Sequence, residues 1–425
     1  MKRLLYIVHR VPYPPDKGER VRAFHAIKAL ADHFRVTVSA LAHSAADRAS
    51  ARELERWCER VVTASAGGLL GLARGALALV GGRSVTEGYF RSRGLARRLQ
   101  EEAAREPFDA IVAYSSSALP CALAVPAGAR IADLVDADSA KWTAYARSAR
   151  WPASWLYRRE ARGVRRLEQQ ALRHCDAVVL ASAAETEALD AGGDKVLAVG
   201  NGVDIDYFRP QDRPADVAPT LVFTGTMDYR PNVEGVGWFA EEIWPALRRE
   251  RPDLRFTVVG RDPVLAVRRL AERPGIEVTG SVPDVRPYLA RAALVVAPLL
   301  MARGIQNKVL EAMAMGRAVV ASPAAIEGLE VEVGAEVVEA QPPEQWRREV
   351  LDLLENQTRR EAIEQAARDR VEQHYTWKDR LQPLVDLCVR LANTPGTMDG
   401  AEPGRESRSR CGHETGPVRP EAANR

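Results

Sequence analysis

Short apolar runs alternate with longer amphipathic segments along most of the chain, a pattern that is typical of strands followed by helices. In the first half, continuous apolar runs lie at 4–8, 36–40, 61–63, 110–113, 131–135 and 177–180. Helical periodicity lies between them at 51–60, 94–105 and 155–173. Strands that are apolar throughout and separated by helices favour a parallel sheet covered on both faces. The pattern therefore predicts an α/β protein whose first half is a doubly wound domain.

A second alternation of the same kind fills the other half of the chain. It begins at Leu221, and its further apolar runs and helical segments lie at 256–260, 276–280, 294–298, 233–250 and 343–372. Between the halves, an Asn-Gly turn ends the run at 196–203, and three spaced prolines follow it. The sequence thus predicts two domains, at 1–203 and 220–376, joined by a linker at 204–219.

The last part of the chain divides into a helix and a polar tail. Helical periodicity returns in the segment at 377–392, after Tyr375. From 393 to 425 the only sizeable apolar residues are Met398 and Val418. A segment of this composition cannot bury enough apolar surface to offset its ordering entropy. We therefore expect the tail to be disordered.

A strand, a glycine loop and a helix follow one another between 292 and 316, and they predict a phosphate site. The loop contains Gly304, and the helical register starts near Asn307 and ends at Gly316. This order directs backbone N–H groups and the positive end of a helix at one point. Lys308 and Glu311 share one helix face, where a cation suits a diphosphate and a carboxylate suits a ribose diol. The alternative is an ordinary surface helix whose Lys308 and Glu311 face water.

The loop after the first strand is also glycine-containing, but it lacks one familiar signature. It reads RVPYPPDKGERVR, and Gly18 is the position where backbone can approach a phosphate or a sugar. The alternative is an ordinary surface loop. G-x-G-x-x-G is missing where a nicotinamide enzyme would carry it. A dehydrogenase is therefore disfavoured.

Composition and charge narrow the class of partner and the compartment. The chain has 425 residues, 46% of them hydrophobic, and a formal net charge of +3, which gives no reason to expect nucleic acid as a partner. Its five cysteines are scattered without metal-ligand spacing, which predicts reduced thiols and no structural zinc. No apolar run is long enough to span a bilayer, and no signal peptide is recognised. We expect a cytoplasmic protein.

Four motifs in this order resemble glycosyltransferase family 4, a group of retaining sugar transferases with the GT-B fold. They are KGERVR after the first strand, NGVD at 201–204, FTGTMDYRPNVEG at 223–235 and QNKVLEAMAMGRAVVAS at 306–322. The resemblance covers roughly residues 1–392. It is greatest to sugar transferases encoded with bacterial exopolysaccharide assembly loci, of the exosortase/PEP-CTERM-associated kind. It implies two Rossmann-like domains facing across a cleft, with the helix at 377–392 crossing back onto the first domain.

The resemblance also implies roles for individual residues in holding a nucleotide-diphosphate sugar. Glu311 matches the glutamate that binds the nucleotide ribose, and the backbone at Gly304 and Ile305 matches the diphosphate site. Gly225, Arg230 and Lys308 lie where the family keeps phosphate contacts, so Arg230 and Lys308 are expected to stabilise the leaving group. Gly18 is assigned to the donor site as well.

Two positions depart from the family pattern. Arg303 stands where many members carry a second glutamate, and a cation there would pair with the donor phosphate. Asp136 stands where many members carry a histidine near the reacting sugar, so we expect Asp136 to orient the acceptor or shield the sugar cation. The alternative is that Asp136 only caps the segment after its strand.

The expected chemistry uses neither a metal nor a resident cofactor. Asp136-Ala-Asp138 and Asp204-Ile-Asp206 both spell D-x-D, the metal signature of another glycosyltransferase architecture, and the repetition makes the signal weak. In a GT-B enzyme, cations and a helix end neutralise the departing diphosphate. The predicted reaction moves a sugar from a nucleotide-diphosphate donor to a lipid-linked or saccharide acceptor in cell-surface glycan synthesis. The alternatives are a nucleotide-sugar 2-epimerase of the same fold and a non-catalytic donor-binding protein.

A basic segment with aromatic residues at 151–174 raises the question of membrane contact. It combines several arginines with Trp151, Trp155 and Tyr157, a composition that suits an anionic lipid surface at the inner face of a membrane. The alternative is a solvated charged helix. The apolar tract at 67–82 is either a helix that touches a membrane or an ordinary half-buried helix.

Overall fold

Two parallel sheets with helices on both faces make up the computed structural model, which confirms the predicted two-domain α/β class. The structure describes residues 1–16, 18–66, 68–189, 193–211, 218–302 and 304–394. The first sheet has the strand order β3-β2-β1-β4-β5-β6-β7. Its strands are β1 (Lys2–Val8), β2 (Phe34–Ala42), β3 (Arg60–Ser65), β4 (Phe108–Tyr114), β5 (Ala127–Val135), β6 (Ala177–Leu180) and β7 (Val196–Ala198).

Helices cover both faces of this sheet, together with a short 3-10 turn at Ser116–Ala118. They are α1 (Gly18–Ala31), α2 (Ala45–Leu54), α3 (Gly68–Val80), α4 (Val85–Phe90), α5 (Arg93–Arg105), α6 (Leu119–Ala124), α7 (Asp138–Ser148), α8 (Ala153–His174) and α9 (Ala183–Ala188). Each strand predicted for this half is present. The helix predicted at 51–60 was misplaced, because Ser44 and Asp47 form a capping box that starts α2 earlier.

The second sheet has the order β10-β9-β8-β11-β12-β13. Its strands are β8 (Thr220–Thr224), β9 (Arg255–Val259), β10 (Ile276–Gly280), β11 (Leu294–Ala297), β12 (Val319–Ala321) and β13 (Val338–Glu339). Its helices are α10 (Arg230–Trp238), α11 (Trp244–Glu250), α12 (Leu265–Arg268), α13 (Arg286–Arg291), α14 (Asn307–Ala314), α15 (Pro323–Ile326), α16 (Pro343–Glu355) and α17 (Gln357–His374), with a π-helical turn at Phe239–Ile243 and a 3-10 turn at Arg269–Glu272. The helix predicted at 343–372 is two helices, because the side chain of Asn356 caps the start of α17.

The last helix, α18 (Trp377–Asn393), belongs to the core of the first domain although it follows the second in sequence. Leu381, Leu384 and Cys388 are buried with the apolar residues of α1 and of the first sheet. At the crossing point, Val203 donates its N–H to the carbonyl of Tyr375 at 2.7 Å. A Cβ on Gly202 would lie 2.7 Å from the backbone of Trp377, so the close approach of the two chain segments requires glycine there.

Both sheets change the direction of their strand order beside their first strands, β1 and β8. In open α/β sheets, the crevice beyond the carboxyl ends of the strands at such a point is where ligands bind. The loops that follow β1, β5, β8 and β11 therefore define the region in which a site is expected. Part of the predicted linker, at 212–217, and most of the predicted tail, at 395–425, lie outside the described residues.

Candidate functional site

The loop after β11 meets the loop after β5, so the two domains touch at the crevice. Gly304 has a φ of +65°, and a Cβ added to it would lie 2.5 Å from Oδ1 of Asp136. Only glycine adopts this backbone without strain and also leaves room for the carboxylate. The structure thus brings Asp136 of the first domain and Gly304 of the second into direct contact.

A strained residue directs Asp136 toward this contact. Val135 has a φ of +67°, a conformation that is rare for a β-branched residue, and the N–H of Ala181 binds its carbonyl at 2.6 Å. Such conformations persist where the surrounding structure holds them in place, and they cluster at functional sites. The backbone is therefore held so that Asp136 points out of the sheet and into the crevice.

Asp136 does not cap the segment that follows it, so this alternative is not supported. The N–H of Ala137 donates to Glu185 at 2.7 Å, and the N–H of Ser139 donates to Glu168 at 2.9 Å. Other carboxylates therefore cap the start of α7. Burial and the nearby charges of Asp138 and Glu185 raise the pKa of Asp136 to about 7. A carboxyl of this kind holds or releases a proton near neutral pH.

The first turns of α14 place Lys308 and Glu311 in a half-buried position, which argues against a surface helix facing water. The Lys308 ammonium donates to Oδ1 of Asn232 at 2.6 Å and lies 4.7 Å from the ring centroid of Phe223. Burial lowers the pKa of Lys308 to about 7, although Glu311 opposes the change. Burial raises the pKa of Glu311 to about 7, although Lys308 opposes it. Glu311 is half-buried, so part of the residue remains accessible to a ligand.

Asn232 is a site residue that the sequence reasoning missed. Its amide accepts from Lys308 and donates to the carbonyl of Thr226 at 2.9 Å, which fixes the loop after β8. A Cβ on Gly225 would lie 2.7 Å from Nδ2 of Asn232. Gly225 therefore serves to admit Asn232 to the loop. A polar residue directly after Pro231 at a helix start was the signal that could have indicated it.

Arg230 lies at the rim of the crevice and bridges the two domains. Its guanidinium pairs with Glu234 at 2.7 Å and donates to Oγ of Ser148, in the first domain, at 3.1 Å. It also lies 5.6 Å from the ring centroid of Tyr145. Arg230 and Lys308 are not in contact in this structure, because each is held by its own partner. Glu234 therefore offsets the charge of Arg230 and would compete with a phosphate for it.

Gly18 and Ile305, which were also predicted to bind the donor, lie at the domain boundary. Gly18 begins α1, and a Cβ on it would lie 3.8 Å from the amide of Asn307, the first residue of α14. Ile305 is buried, and its side chain would be 3.3 Å from a Cβ on Gly200. The starts of α1 and α14 therefore face each other across the crevice. Arg303 lies outside the described residues.

A buried ion pair supports the boundary from the first domain, and the sequence reasoning did not assign it. Arg22 pairs with Asp133 at 3.2 Å, and both side chains are fully buried. Arg22 also donates to the carbonyl of Val199 at 2.8 Å and to Oδ1 of Asn201 at 3.0 Å. Asn201 in turn donates to Oδ1 of Asn307 at 3.1 Å. The pair thus fixes the NGVD segment against the start of α14.

One carboxylate of each D-x-D sequence has a structural partner. Asp138 pairs with Lys141 at 3.4 Å, and Asp204 accepts the N–H of Asp206 and of Tyr207. Across the described ranges, no group of three or more His, Cys, Asp or Glu residues is arranged to hold a metal ion. The groups that the crevice offers to a ligand are cations, amides and the carboxyls of Asp136 and Glu311.

Comparison with known proteins relates this geometry to a family. Residues 218–356, which include Arg230, Lys308 and Glu311, match the family model described as glycosyl transferases group 1. No curated protein sequence matches the chain.

Solved structures with the same arrangement of domains include three that cover 91–92% of this chain. Anabaena HepE, solved in complex with UDP and glucose, is 17% identical, with a TM-score of 0.66 and 100% of its chain covered. Sucrose-phosphate synthase from Thermosynechococcus elongatus is 16% identical, with a TM-score of 0.68 and 99% covered. WaaG, a glycosyltransferase involved in lipopolysaccharide biosynthesis, is 13% identical, with a TM-score of 0.60 and 99% covered. Together, the family-model match and the shared two-domain fold support a glycosyltransferase of the GT-B fold.

Proposed function

We propose that the protein transfers a sugar, with retention of anomeric configuration, from a nucleotide-diphosphate donor to a lipid-linked or saccharide acceptor of a bacterial surface glycan such as an exopolysaccharide. The observation that carries the proposal is the contact between Gly304 and Asp136. It puts the loop expected to hold the donor diphosphate beside a carboxyl of the opposite domain. The reaction centre then lies where the two domains meet, and closure there excludes the water that would hydrolyse the donor.

The donor is held by the second domain. Glu311, once ionised, accepts hydrogen bonds from the two ribose hydroxyls. The N–H groups at Gly304 and Ile305 and the Lys308 ammonium bind the diphosphate. HepE has been solved with UDP and with UDP-glucose, and for that reason a uridine-diphosphate sugar is the first donor to test.

Charge development explains how these groups accelerate the reaction. The bond between the anomeric carbon and the phosphate oxygen breaks as the acceptor oxygen bonds to the same carbon on the same face. The acceptor proton passes to an oxygen of the departing diphosphate. Positive charge grows on the sugar ring and negative charge on the diphosphate, so Lys308 and Arg230 bind the transition state more tightly than the ground state. Asp136 orients the acceptor and offsets the positive charge of the sugar.

The acceptor is expected in the first domain, where a cavity of about 290 Å³ lies beside the ends of β1 and β2. His9, Phe90, Arg93 and Ser117 are among the residues that line it. A cavity at the small end of the range for ligand sites accommodates one sugar unit or one head group more readily than an extended chain. This favours an acceptor whose terminal unit enters the cavity while the remainder stays outside.

The experiment that tests the proposal measures binding first and transfer second. UDP-, GDP-, ADP- and dTDP-sugars are compared by thermal shift, and the best donor is incubated with lipid-linked and saccharide acceptors. The expected result is a glycosylated product whose linkage, read by NMR, has the anomeric configuration of the donor. Formation of an epimer without acceptor would show a nucleotide-sugar 2-epimerase instead. Donor binding without turnover on any acceptor would show a non-catalytic binding protein, and inversion would refute the retaining mechanism.

A further inference from the structure

Helix α3 exposes an entirely apolar face on the first domain. Five residues spaced as one helix face are exposed, namely Leu72, Ala73, Ala76, Leu77 and Val80. The exposed fractions of Leu77 and Val80 are 70% and 85%. Exposed large apolar residues are normal when scattered singly, but a contiguous patch marks a surface that something covers.

The opposite face of α3 explains why Leu72 and Leu77 cannot turn inward. Gly71 and Gly75 face α4, where a Cβ would lie 3.0 Å from Tyr89 and from Val85 respectively. Ala78 is buried against Gly88. Small residues thus allow α3 and α4 to pack closely and leave no space for larger ones. Leu72 and Leu77 are therefore not core residues displaced to the surface.

Basic residues and exposed tryptophans border this face. Arg159 and Arg166 of α8 donate to the carbonyls of Leu79 and Gly82, which holds α8 against the end of α3. Further exposed side chains extend along the same stretch of α8 and the turn before it, namely Trp151, Trp155, Leu156, Arg158, Arg162 and Arg165. The two helices therefore form one surface that is apolar on α3 and basic on α8.

Acidic side chains are missing from the outer face of these two helices. Helix α3 contains none, and the only two in α8, Glu160 and Glu168, are buried. Glu160 accepts the N–H groups of Val85 and Thr86, and Glu168 binds Ser139. An apolar strip beside arginines without exposed carboxylates complements an anionic lipid surface, with acyl chains below its phosphates.

We propose that the surface formed by α3 and α8, at Gly68–Val80 and Ala153–His174, docks the protein on an anionic bilayer, with Leu72 and Leu77 of α3 in the interfacial layer and the arginines of α8 at the lipid phosphates. Helix α3 has 13 residues, and within the described residues no helix is long and apolar enough to cross a bilayer. The helix therefore lies in the plane of the surface. The arginines of α8 alone would provide only electrostatic contact, whereas α3 supplies apolar insertion.

The surface is next to the cavity in which the acceptor is expected. Helix α4 packs on α3, and Phe90 at its end lines that cavity together with Arg91 and Arg93. Docking through α3 would bring the cavity close to a lipid-linked acceptor. This consequence rests on the proposed function, whereas docking itself does not.

The test is co-sedimentation of the full chain with two kinds of vesicle, pure phosphatidylcholine and an equimolar mixture with phosphatidylglycerol. We expect binding to the anionic vesicles that weakens as salt is added. Leu72→Asp/Leu77→Asp should lower the partition coefficient by about tenfold or more. The reason is that two apolar side chains that insert into the bilayer are replaced by carboxylates, which the anionic lipids repel. Arg158→Gln/Arg162→Gln should lower it by about fivefold for each arginine, on anionic vesicles only.

The matched control is Leu265→Asp, the same change at an exposed leucine of the second domain, which should bind vesicles as the unmodified protein does. Circular dichroism and a thermal shift with UDP-glucose show whether each variant keeps its fold and its donor site. No binding to anionic vesicles, or equal binding by the α3 double variant, would overturn the proposal. Self-association that the double variant abolishes, without vesicle binding, would assign the face to a second copy of the chain. Failure of donor binding with vesicle binding intact would refute the proposed function alone.

Discussion

The carboxylate of Asp136 lies against the backbone of Gly304, where a side-chain Cβ would come within 2.5 Å of Oδ1. The contact joins the two domains at the point where the donor diphosphate and the reacting sugar are proposed to meet. It depends on a glycine for two reasons, the positive φ of +65° and the missing Cβ.

Gly304→Ala should therefore reduce kcat/KM by about tenfold or more, because it displaces Asp136 and strains the diphosphate loop. The measurement is steady-state transfer with the donor identified by the binding screen. Gly334→Ala is the matched control, since Gly334 also has a positive φ but nothing within 4 Å of its added Cβ. Equal losses in the two variants would mean that backbone strain alone, and not the contact with Asp136, is responsible.

Donor affinity should depend on pH with a maximum near neutrality. The pKa of Glu311 is raised to about 7, so this carboxyl gains a proton and loses ribose hydrogen bonds as pH falls below about 7. The pKa of Lys308 is lowered to about 7, so the ammonium loses its proton and its attraction for the diphosphate as pH rises above about 7. Calorimetric titration between about pH 5 and about pH 9 should therefore give a bell-shaped affinity profile.

Variants separate the two limbs of that profile. Glu311→Gln should flatten the acidic limb and Lys308→Met the alkaline limb, each with lower affinity at the maximum. A profile that is unchanged in both variants would refute the roles given to these residues.

Without donor, Glu311 should make stability fall as pH rises from about 4.5 to about 7. In that window the folded protein keeps a proton that the unfolded chain has released, so rising pH favours unfolding. Thermal midpoints across this window should show a smaller decline for Glu311→Gln than for the unmodified protein. A decline of equal size in both proteins would assign the effect to other groups.

The buried pair of Arg22 and Asp133 should contribute to both stability and donor binding. Arg22→Met leaves an uncompensated carboxylate in the core, at a cost of about 3–5 kcal/mol. It also frees Asn201, which donates to Asn307 at the start of α14, so the KM for the donor should rise. Urea unfolding and steady-state kinetics measure the two effects.

The double variant Arg22→Met/Asp133→Leu is the control for this prediction. It removes both charges and should recover much of the stability, because no unpaired charge remains buried. The raised KM should persist, since Asn201 still lacks its partner. Recovery of both properties would mean that Arg22 acts on the donor site only through overall stability.

The sequence was sufficient to predict the elements whose signal is local. Short apolar runs identified the strands of the first sheet, and in its central strands they arise because a strand buried on both faces needs continuous apolar residues. The helix predicted at 51–60 was misplaced because the prediction followed the spacing of apolar residues. The capping box at Ser44 and Asp47 marks the true start of the helix. The sequence therefore contained the local signal for the start of α2, even though the predicted helix was misplaced.

The contacts that build the site could not be predicted in the same way because they join distant parts of the chain. Arg22 and Asp133 are 111 positions apart, and each alone resembles an ordinary charged residue near a strand or helix end. Asn232 reaches Lys308 across 76 positions. The resemblance to a family indicated Gly304 and Asp136 separately, but their contact depends on how the two sheets face each other.

Glu234, the ion-pair partner of Arg230, should compete with the proposed donor for the Arg230 guanidinium. The side chains of Arg230 and Glu234 are 39% and 37% exposed, and an ion pair at such positions is worth less than about 1 kcal/mol. A diphosphate can therefore displace Glu234. Glu234→Gln should raise donor affinity by up to about fivefold, whereas Arg230→Ala should lower it by about tenfold or more. Ser148→Ala, which removes the contact with the first domain but keeps both charges, should bind the donor as the unmodified protein does. Calorimetric titration of the three variants with the donor measures these affinities. Unchanged affinity in Arg230→Ala would show that Arg230 does not bind the donor.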